Sequence, residues 1–116
     1  FNPRILLLPD HIRPPRLIVQ ESEDHAMRGR DVTITTRDYR LGRKVGDLTF
    51  PGDDYVSREH AQIIFDNNEF YLVDLGSAGG TYLDNKRLEP NVRTRLTNAK
   101  VIVLGTRTRI RFVQQT

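Results

Sequence analysis

The chain has 116 residues, a length that fits one domain and leaves little room for a second. Leu, Ile, Val and Phe together account for 34 residues, which is enough apolar surface to exclude a disordered chain. Cysteine is absent, which excludes disulfides, thiolate metal sites and a cysteine nucleophile. The net charge of +3, with 15 Arg and 3 Lys, is too small by itself to indicate nucleic acid binding.

Residues 1–15 differ from the rest of the chain because they hold four of the six prolines. Proline fixes the backbone and removes a hydrogen-bond donor, so this stretch predicts a linker or an arm laid over the domain. We therefore expect a linker or docked arm over residues 1–15 and the folded domain over residues 16–116. Met27 is the only methionine, so Phe1 is not an initiator, and we expect the chain to be part of a larger protein.

The rest of the sequence has the pattern of an all-β sandwich or barrel. Val, Ile and Thr number 27 against four Ala, a composition that disfavours helices and favours strands. Residues 66–69 (Asp-Asn-Asn-Glu) tolerate positive φ and predict a hairpin loop. The predicted strands are Leu17–Glu21, Val32–Thr36, Tyr39–Gly42, Leu48–Phe50, His60–Phe65, Phe70–Leu75, Thr81–Leu83, Val92–Leu96, Val101–Leu104 and Thr108–Val113.

The last predicted strand contains a row of arginines, and two interpretations of it are open. Arg107, Arg109 and Arg111 share one face, while Thr108, Ile110 and Phe112 occupy the other. This alternation indicates a half-buried strand with a charged outer face, and we favour it over a nucleic-acid-binding motif.

Three segments combine glycine, serine, arginine and asparagine between apolar strands, a composition typical of functional loops. They are 41–43, 57–61 and 74–85. Loops of this kind, placed on a rigid β scaffold, can converge at one end and form a binding site.

The residues of these segments resemble the forkhead-associated (FHA) domain family. Ser57 follows Arg43 by 14 positions and Gly80 follows His60 by 20, which matches the order and spacing of the family. The matching residues are Gly42-Arg43, Ser57-Arg58-x-His60-Ala61 and Asp74-Leu75-x-Ser77-x-x-Gly80-Thr81-Tyr82-Leu83-x-Asn85. The resemblance implies a sandwich of two twisted antiparallel sheets that binds phosphothreonine peptides and recruits its parent protein to substrates of a Ser/Thr kinase.

The resemblance also assigns roles to individual residues. It implies that Arg43, Ser57 and Arg58 bind the phosphate, with the Ser57 hydroxyl as a donor and its backbone N–H as a second one. The loop 77–79 (Ser77, Ala78, Gly79) is expected to contact the peptide. The remaining family positions are expected to hold the loops together, with His60 bonded to Thr81 and with Gly42, Gly80 and Thr81 as structural residues.

Gly79 is the departure from the family pattern that bears on binding. The family usually has Asn here, and that side chain hydrogen-bonds the peptide backbone, so we expect weaker affinity or a different peptide pose. The resemblance implies that specificity depends largely on the third residue after the phosphothreonine, which loops including 54–56 and 77–79 would contact. Tyr55 and Val56 favour an apolar residue there, whereas Asp53 and Asp54 favour a basic one.

Three rival functions remain open. An enzyme is disfavoured because Ser57, His60 and Ser77 form no Gly-x-Ser-x-Gly elbow and the glycines form no Walker loop. Nucleic acid binding lacks aromatic stacking platforms beside basic residues. A phosphate-independent scaffold or dimerisation module stays possible because of Ala78 and Gly79. We expect no metal, no cofactor, no membrane segment and a cytoplasmic location.

Overall fold

The computed structural model describes residues 6–115. These residues form eleven strands and one short 3₁₀ turn, His25–Met27. The strands are β1 Arg16–Glu21, β2 Asp31–Thr33, β3 Asp38–Gly42, β4 Leu48–Thr49, β5 Ala61–Asp66, β6 Glu69–Asp74, β7 Thr81–Leu83, β8 Lys86–Arg87, β9 Thr94–Leu96, β10 Val101–Leu104 and β11 Thr108–Val113. Across this described part of the chain, no helix has the length and apolar character needed to cross a membrane.

The strands form two sheets that enclose one core, which confirms the predicted all-β sandwich. The six-stranded sheet has the order β2-β1-β11-β10-β7-β8, and the five-stranded sheet has the order β4-β3-β5-β6-β9. Neighbouring strands are antiparallel except β3 and β4, which run parallel over two residue pairs.

The core follows from the period-two alternation of the strands. On β11, Thr108, Ile110 and Phe112 are fully buried, whereas Arg109 and Arg111 are exposed. This confirms the predicted strand with a charged outer face. Phe112 of one sheet lies 5.7 Å from Phe70 of the other, measured between ring centroids, a distance at which tilted rings attract each other. This aromatic contact joins the two sheets across the core.

Two hairpins use a pair of residues with positive φ. Asn67 and Asn68 have φ values of 51° and 62° between β5 and β6, as predicted for the loop 66–69. Asp84 and Asn85, at 46° and 70°, form the equivalent turn between β7 and β8. β8 was not predicted because its two residues are both exposed and charged, so the strand has no apolar alternation.

The N-terminal segment docks on the sandwich from residue 6 onward. The N–H of Leu8 donates to the carbonyl of Thr35 at 2.9 Å, and Leu8 is buried in the core. This contact replaces sheet pairing beyond Thr33, which is why the strand predicted over Val32–Thr36 ends early. Residues 1–5 of the predicted arm and Thr116 lie outside the described residues, and the boundary at residue 16 stays a prediction.

Candidate functional site

The three loops singled out in the sequence meet at one end of the sandwich. The N–H of Arg43, just after β3, donates to the carbonyl of Ser57 at 2.8 Å. The N–H of Ala78, between β6 and β7, donates to Ser57 Oγ at 3.1 Å. A fourth loop joins them, since the N–H of Gly105 donates to the carbonyl of Gly80 at 2.9 Å. We call this end, formed by loops 43–47, 50–60, 75–80 and 105–107, the binding rim.

Arg43 is anchored at the rim with part of its guanidinium left free. Its Nε donates to the carbonyl of Val56 at 3.1 Å, which fixes the side chain beside Ser57. Within residues 6–115 neither of its Nη groups has a hydrogen-bond partner, and both keep contact with solvent. A guanidinium held by Nε presents its two Nη groups as a pre-oriented pair of donors for an anion.

Ser57 is the residue on which the three loops converge, and only its hydroxyl hydrogen is available to a ligand. Its Oγ accepts from Ala78, and its carbonyl accepts from Arg43. Its backbone N–H donates to His60 Nδ1 at 2.9 Å. The expectation that this N–H binds phosphate is therefore wrong, because the histidine ring already occupies it.

His60 joins two loops from inside the fold. Its ring is fully buried, with Nδ1 accepting from Ser57 and Nε2 lying 2.7 Å from the carbonyl of Gly80. A carbonyl can only accept, so Nε2 carries the proton and the ring is neutral. The predicted bond from His60 to Thr81 is wrong, since the Thr81 hydroxyl donates to Asp74 instead. Burial lowers the pKa of His60, opposed by the Gly80 hydrogen bond and by the charges of Asp74 and Asp53.

We predict that acid destabilises the domain through His60. In the unfolded chain a histidine titrates near pH 6.5, whereas the lowered pKa of folded His60 keeps it neutral there. The free energy of unfolding is therefore highest above about pH 6.5. Below that pH it falls by up to about 1.4 kcal/mol per pH unit, until folded His60 also takes up a proton. Urea unfolding measures the free energy of unfolding at pH 7.5 and at pH 5.5. Between these pH values, His60→Gln should lose less stability than the control His25→Gln, which replaces an exposed histidine and keeps His60. Equal losses of stability in the two variants would contradict this assignment.

Asp74, at the end of β6, is the hub of loop 75–80. Its side chain is buried, and the carboxylate accepts from the hydroxyls of Ser77 and Thr81 and from the backbone N–H groups of Gly76 and Ser77. Ser77 was expected to contact the peptide, but its hydroxyl is buried and donated to Asp74. Ser77 therefore shapes the loop from within, while Ala78 is exposed at its tip.

Two positions of the motif require glycine. At Gly42 a side chain has no room, and at Gly80 the backbone has a positive φ. A Cβ on Gly42 would lie 2.3 Å from the carbonyl oxygen of Arg58, so β3 and loop 50–60 could not approach as they do. Gly80 has a φ of +86°, which other residues adopt only with strain. Its carbonyl accepts from both His60 and Gly105, so this left-handed backbone is also a junction of the rim.

Gly79 packs closely against two neighbouring loops. A Cβ here would lie 3.0 Å from Gly105 Cα and 3.2 Å from the carbonyl oxygen of Tyr55. Gly105 is itself tight, since a Cβ on it would meet the same oxygen at 2.3 Å. The absence of a side chain at both glycines thus allows the loops to close on Tyr55, a contact that no sequence signal indicated.

Loop 50–60 is held in place by buried polar groups, a supporting role that the sequence did not predict for them. The carboxylate of Asp53 is fully buried and accepts from the N–H of Tyr55 at 2.9 Å and from the hydroxyl of Thr108. The Thr108 oxygen lies 2.8 Å from the hydroxyl of Ser22, to which Asp24 N–H donates. These contacts tie the rim to β11 and to the end of β1.

The residues expected to set specificity separate into two groups. Val56 and Asp53 are buried and cannot contact a peptide, so the expectations placed on them are wrong. Tyr55 is 54% exposed and Asp54 is exposed, so both can still do so. Arg58 is exposed as well, and within residues 6–115 its guanidinium pairs with no carboxylate. The rim therefore presents two unpaired arginines, Arg43 and Arg58, together with a free hydroxyl hydrogen.

This chemistry suits an anion with several acceptor oxygens. Arginine donors and a hydroxyl, held by backbone contacts between loops, can share one tetrahedral phosphate. In the described part of the chain, no group of three or more His, Cys, Asp or Glu residues is placed to hold a metal ion.

Comparisons with known proteins agree with this geometry. A family model described as FHA domain matches residues 39–105. The FHA domain-containing protein FhaB of Mycobacterium tuberculosis is 34% identical over 94 residues, covering 81% of this chain and 54% of FhaB. The chain thus spans about half the length of that relative.

Two solved structures share the fold. The FHA domain of an Arabidopsis thaliana hypothetical protein has a TM-score of 0.79 at 25% identity, covering 90% of this chain and 88% of that one. A structure reported in a structural and functional analysis of phosphothreonine-dependent FHA domain interactions has a TM-score of 0.73 at 25% identity, covering 90% and 99%.

Proposed function

The chain belongs to the FHA domain family, and on that premise we propose that it is a phosphothreonine-dependent protein-interaction module. It recruits its parent protein to partners that a Ser/Thr kinase has phosphorylated. One observation carries the proposal: the guanidinium of Arg43 is anchored through Nε beside Ser57, with its Nη pair and the Ser57 hydroxyl left for an anion. A solved relative reported for phosphothreonine-dependent interactions supports it.

The chemistry of phosphothreonine matches these donors. The phosphate carries a charge of about −1.5 to −2 at neutral pH and offers three acceptor oxygens. The two Nη groups of Arg43 bind two of them in parallel, the Ser57 hydroxyl binds the third, and Arg58 adds positive charge. The neutral His60 supports this arrangement only indirectly, by holding Ser57 and Gly80 in place.

The proposed function excludes catalysis and nucleic acid binding. The module acts by binding and not by catalysis, because the Ser57 hydroxyl that faces the ligand has no histidine base: both ring nitrogens of His60 are already bonded, to the Ser57 backbone N–H and to the Gly80 carbonyl. Its partner is a phosphorylated protein and not a nucleic acid. We place the module in the cytoplasm, where kinases have ATP, as one part of a larger signalling protein.

A peptide binding screen tests the proposal. Libraries that present phosphothreonine, phosphoserine or unmodified threonine in the same flanking sequences would be titrated against the chain. We expect binding of the phosphothreonine peptides, weaker binding of phosphoserine, and none that survives phosphatase treatment. Phosphatase-resistant binding would instead support the scaffold or dimerisation alternative.

We predict that Gly79→Asn raises affinity for a phosphothreonine peptide about fivefold. The new amide can hydrogen-bond the peptide backbone, a gain of about 1 kcal/mol. The Cβ requires Gly105 and Tyr55 to move by a few tenths of an ångström, so stability should fall slightly. Calorimetric titration measures the affinity and urea unfolding the stability, both against Gly79→Ala, which adds the Cβ without the amide. Equal affinities for the two variants would contradict the prediction.

A further inference from the structure

The outer face of the six-stranded sheet carries four side chains in one cross-strand row. Val103 of β10 is the register partner of Arg109 on β11 and of Tyr82 on β7, and Tyr82 is the partner of Arg87 on β8. The two central side chains are half-buried and the two arginines are exposed. The row therefore has an apolar centre with a cation at each end.

A groove lies over three of the four residues of this row and reaches the binding rim. It has a volume of about 340 Å³ and is lined by Tyr82, Asn85, Val103, Gly105, Thr106 and Arg109. Gly105 belongs to the rim as well, where it lies against the carbonyl of Tyr55. Arg87 lies beside the groove, with its guanidinium carbon 6.0 Å from the centre of the Tyr82 ring. The same guanidinium covers Gly80 of the rim, whose added Cβ would lie 2.8 Å from Arg87 Nε. A ligand seated at the rim thus has this groove directly beside it.

Three arginines of this face form no ion pair within the described residues. Among residues 6–115, no carboxylate lies within 4.0 Å of the charged groups of Arg87, Arg109 or Arg111. Glu21 is the register partner of Arg109 on β1 but pairs with Arg28 at 3.1 Å. A face with an apolar centre and three arginines that form no ion pair is electrostatically complementary to an acidic peptide segment.

We propose that this groove binds an acidic segment of the phosphorylated partner, adjoining its phosphothreonine. The proposal rests on the proposed function of the rim. Three strand spacings of about 4.8 Å put the Cα atoms of Arg109 and Arg87 roughly 14 Å apart, and four residues of extended peptide span about 13 Å. The matching pattern is acid-x-apolar-x-acid, since residues i, i+2 and i+4 share one face. The apolar residue packs on Tyr82 and Val103, and each acid faces one arginine.

The composition of the face favours an acidic peptide over a nucleic acid. Tyr82 is the one aromatic residue among those lining the groove, so successive bases have no series of rings on which to stack. The apolar centre between two cations suits a side chain flanked by carboxylates better than a continuous row of phosphates.

Titration of designed phosphothreonine peptides tests this inference. The peptides carry the flank Glu-Ser-Leu-Ser-Glu on either side of the phosphothreonine, and matched peptides carry Gln in place of Glu. We expect the Glu flank to strengthen binding about threefold to tenfold in one of the two arrangements. The double variant Arg87→Gln/Arg109→Gln should remove that gain, so that it binds the Glu and the Gln peptides with equal affinity. The control Arg95→Gln, on β9 of the other sheet, should keep the gain.

Each other outcome is decisive as well. Equal affinities for Glu and Gln peptides, with phosphothreonine dependence intact, would overturn the groove and leave the proposed function standing. Loss of the gain in Arg95→Gln would also overturn it, since net charge alone would then be responsible. A flank effect without phosphate dependence would support the groove and overturn the proposed function. Amide shifts at residues 103–106 produced by a DNA duplex, but not by the unlinked acidic peptide, would assign the face to nucleic acid instead.

Discussion

Arg43→Ala is expected to abolish measurable binding of a phosphothreonine peptide. The substitution removes the two free Nη donors, and each charge-assisted hydrogen bond is worth roughly 1.5–3 kcal/mol. A loss of about 3 kcal/mol weakens binding more than 100-fold, which takes a micromolar peptide out of the measurable range. Calorimetric titration of wild type and variant with the same peptide measures the effect.

Two controls separate this loss from damage to the rim. The backbone N–H of Arg43 that bonds Ser57 is retained in the variant, and only the Nε bond to Val56 is lost, so the free energy of unfolding should fall by no more than about 1 kcal/mol. Arg43→Lys keeps the charge without the paired donors and should bind with intermediate affinity. Undiminished binding by Arg43→Ala would contradict the assignment.

Asp74→Ala is expected to cost about 3–5 kcal/mol of stability. The buried carboxylate accepts four hydrogen bonds, and its removal leaves the hydroxyls of Ser77 and Thr81 and two backbone N–H groups without an acceptor. A domain of this kind is stable by only about 5–15 kcal/mol, so the loss is a large fraction of the total. Urea unfolding measures it directly.

A surface aspartate provides the matched control. Asp66 forms an exposed ion pair with Arg93 at 2.8 Å, and Asp66→Ala should cost less than about 1 kcal/mol. Asp74→Asn keeps one acceptor oxygen for the hydroxyls but turns an NH₂ group toward other donors, so its loss should be intermediate. If Asp74→Ala were as mild as Asp66→Ala, the carboxylate would not be the hub of loop 75–80.

The fold could be predicted from the sequence because its signals are local. The alternation along β11 specified which residues face the core, and the two asparagines between β5 and β6 specified a tight turn. The charged pair Lys86 and Arg87 carried no such signal, so β8 was missed. The early end of β2 depends on contacts with residues 6–8, which no local pattern shows.

The composition of the site was predicted more completely than its hydrogen bonds. The motif spacing predicted that Arg43 and Ser57 lie at the same rim, and the two residues are in contact there. Which donor each acceptor takes depends on distances set by the tertiary fold. The Ser57 N–H therefore pairs with His60, and the Thr81 hydroxyl pairs with Asp74.

The buried contacts that support the rim could not be predicted from the sequence, because they join residues far apart in the chain. The hydroxyls of Ser22 and Thr108 lie 86 positions apart in the chain and 2.8 Å apart in space. Gly105 and Tyr55 are likewise brought together only by the packing of the two loops. A residue whose role comes from such a contact has no neighbouring motif that would reveal it.

A crystal structure of the chain with a bound phosphothreonine peptide tests the central claim most directly. We predict phosphate oxygens about 2.7–2.9 Å from the Nη atoms of Arg43, with a third oxygen accepting from the Ser57 hydroxyl. A phosphate bound away from these two residues, such as one seated on the arginines of the outer sheet face, would contradict the account.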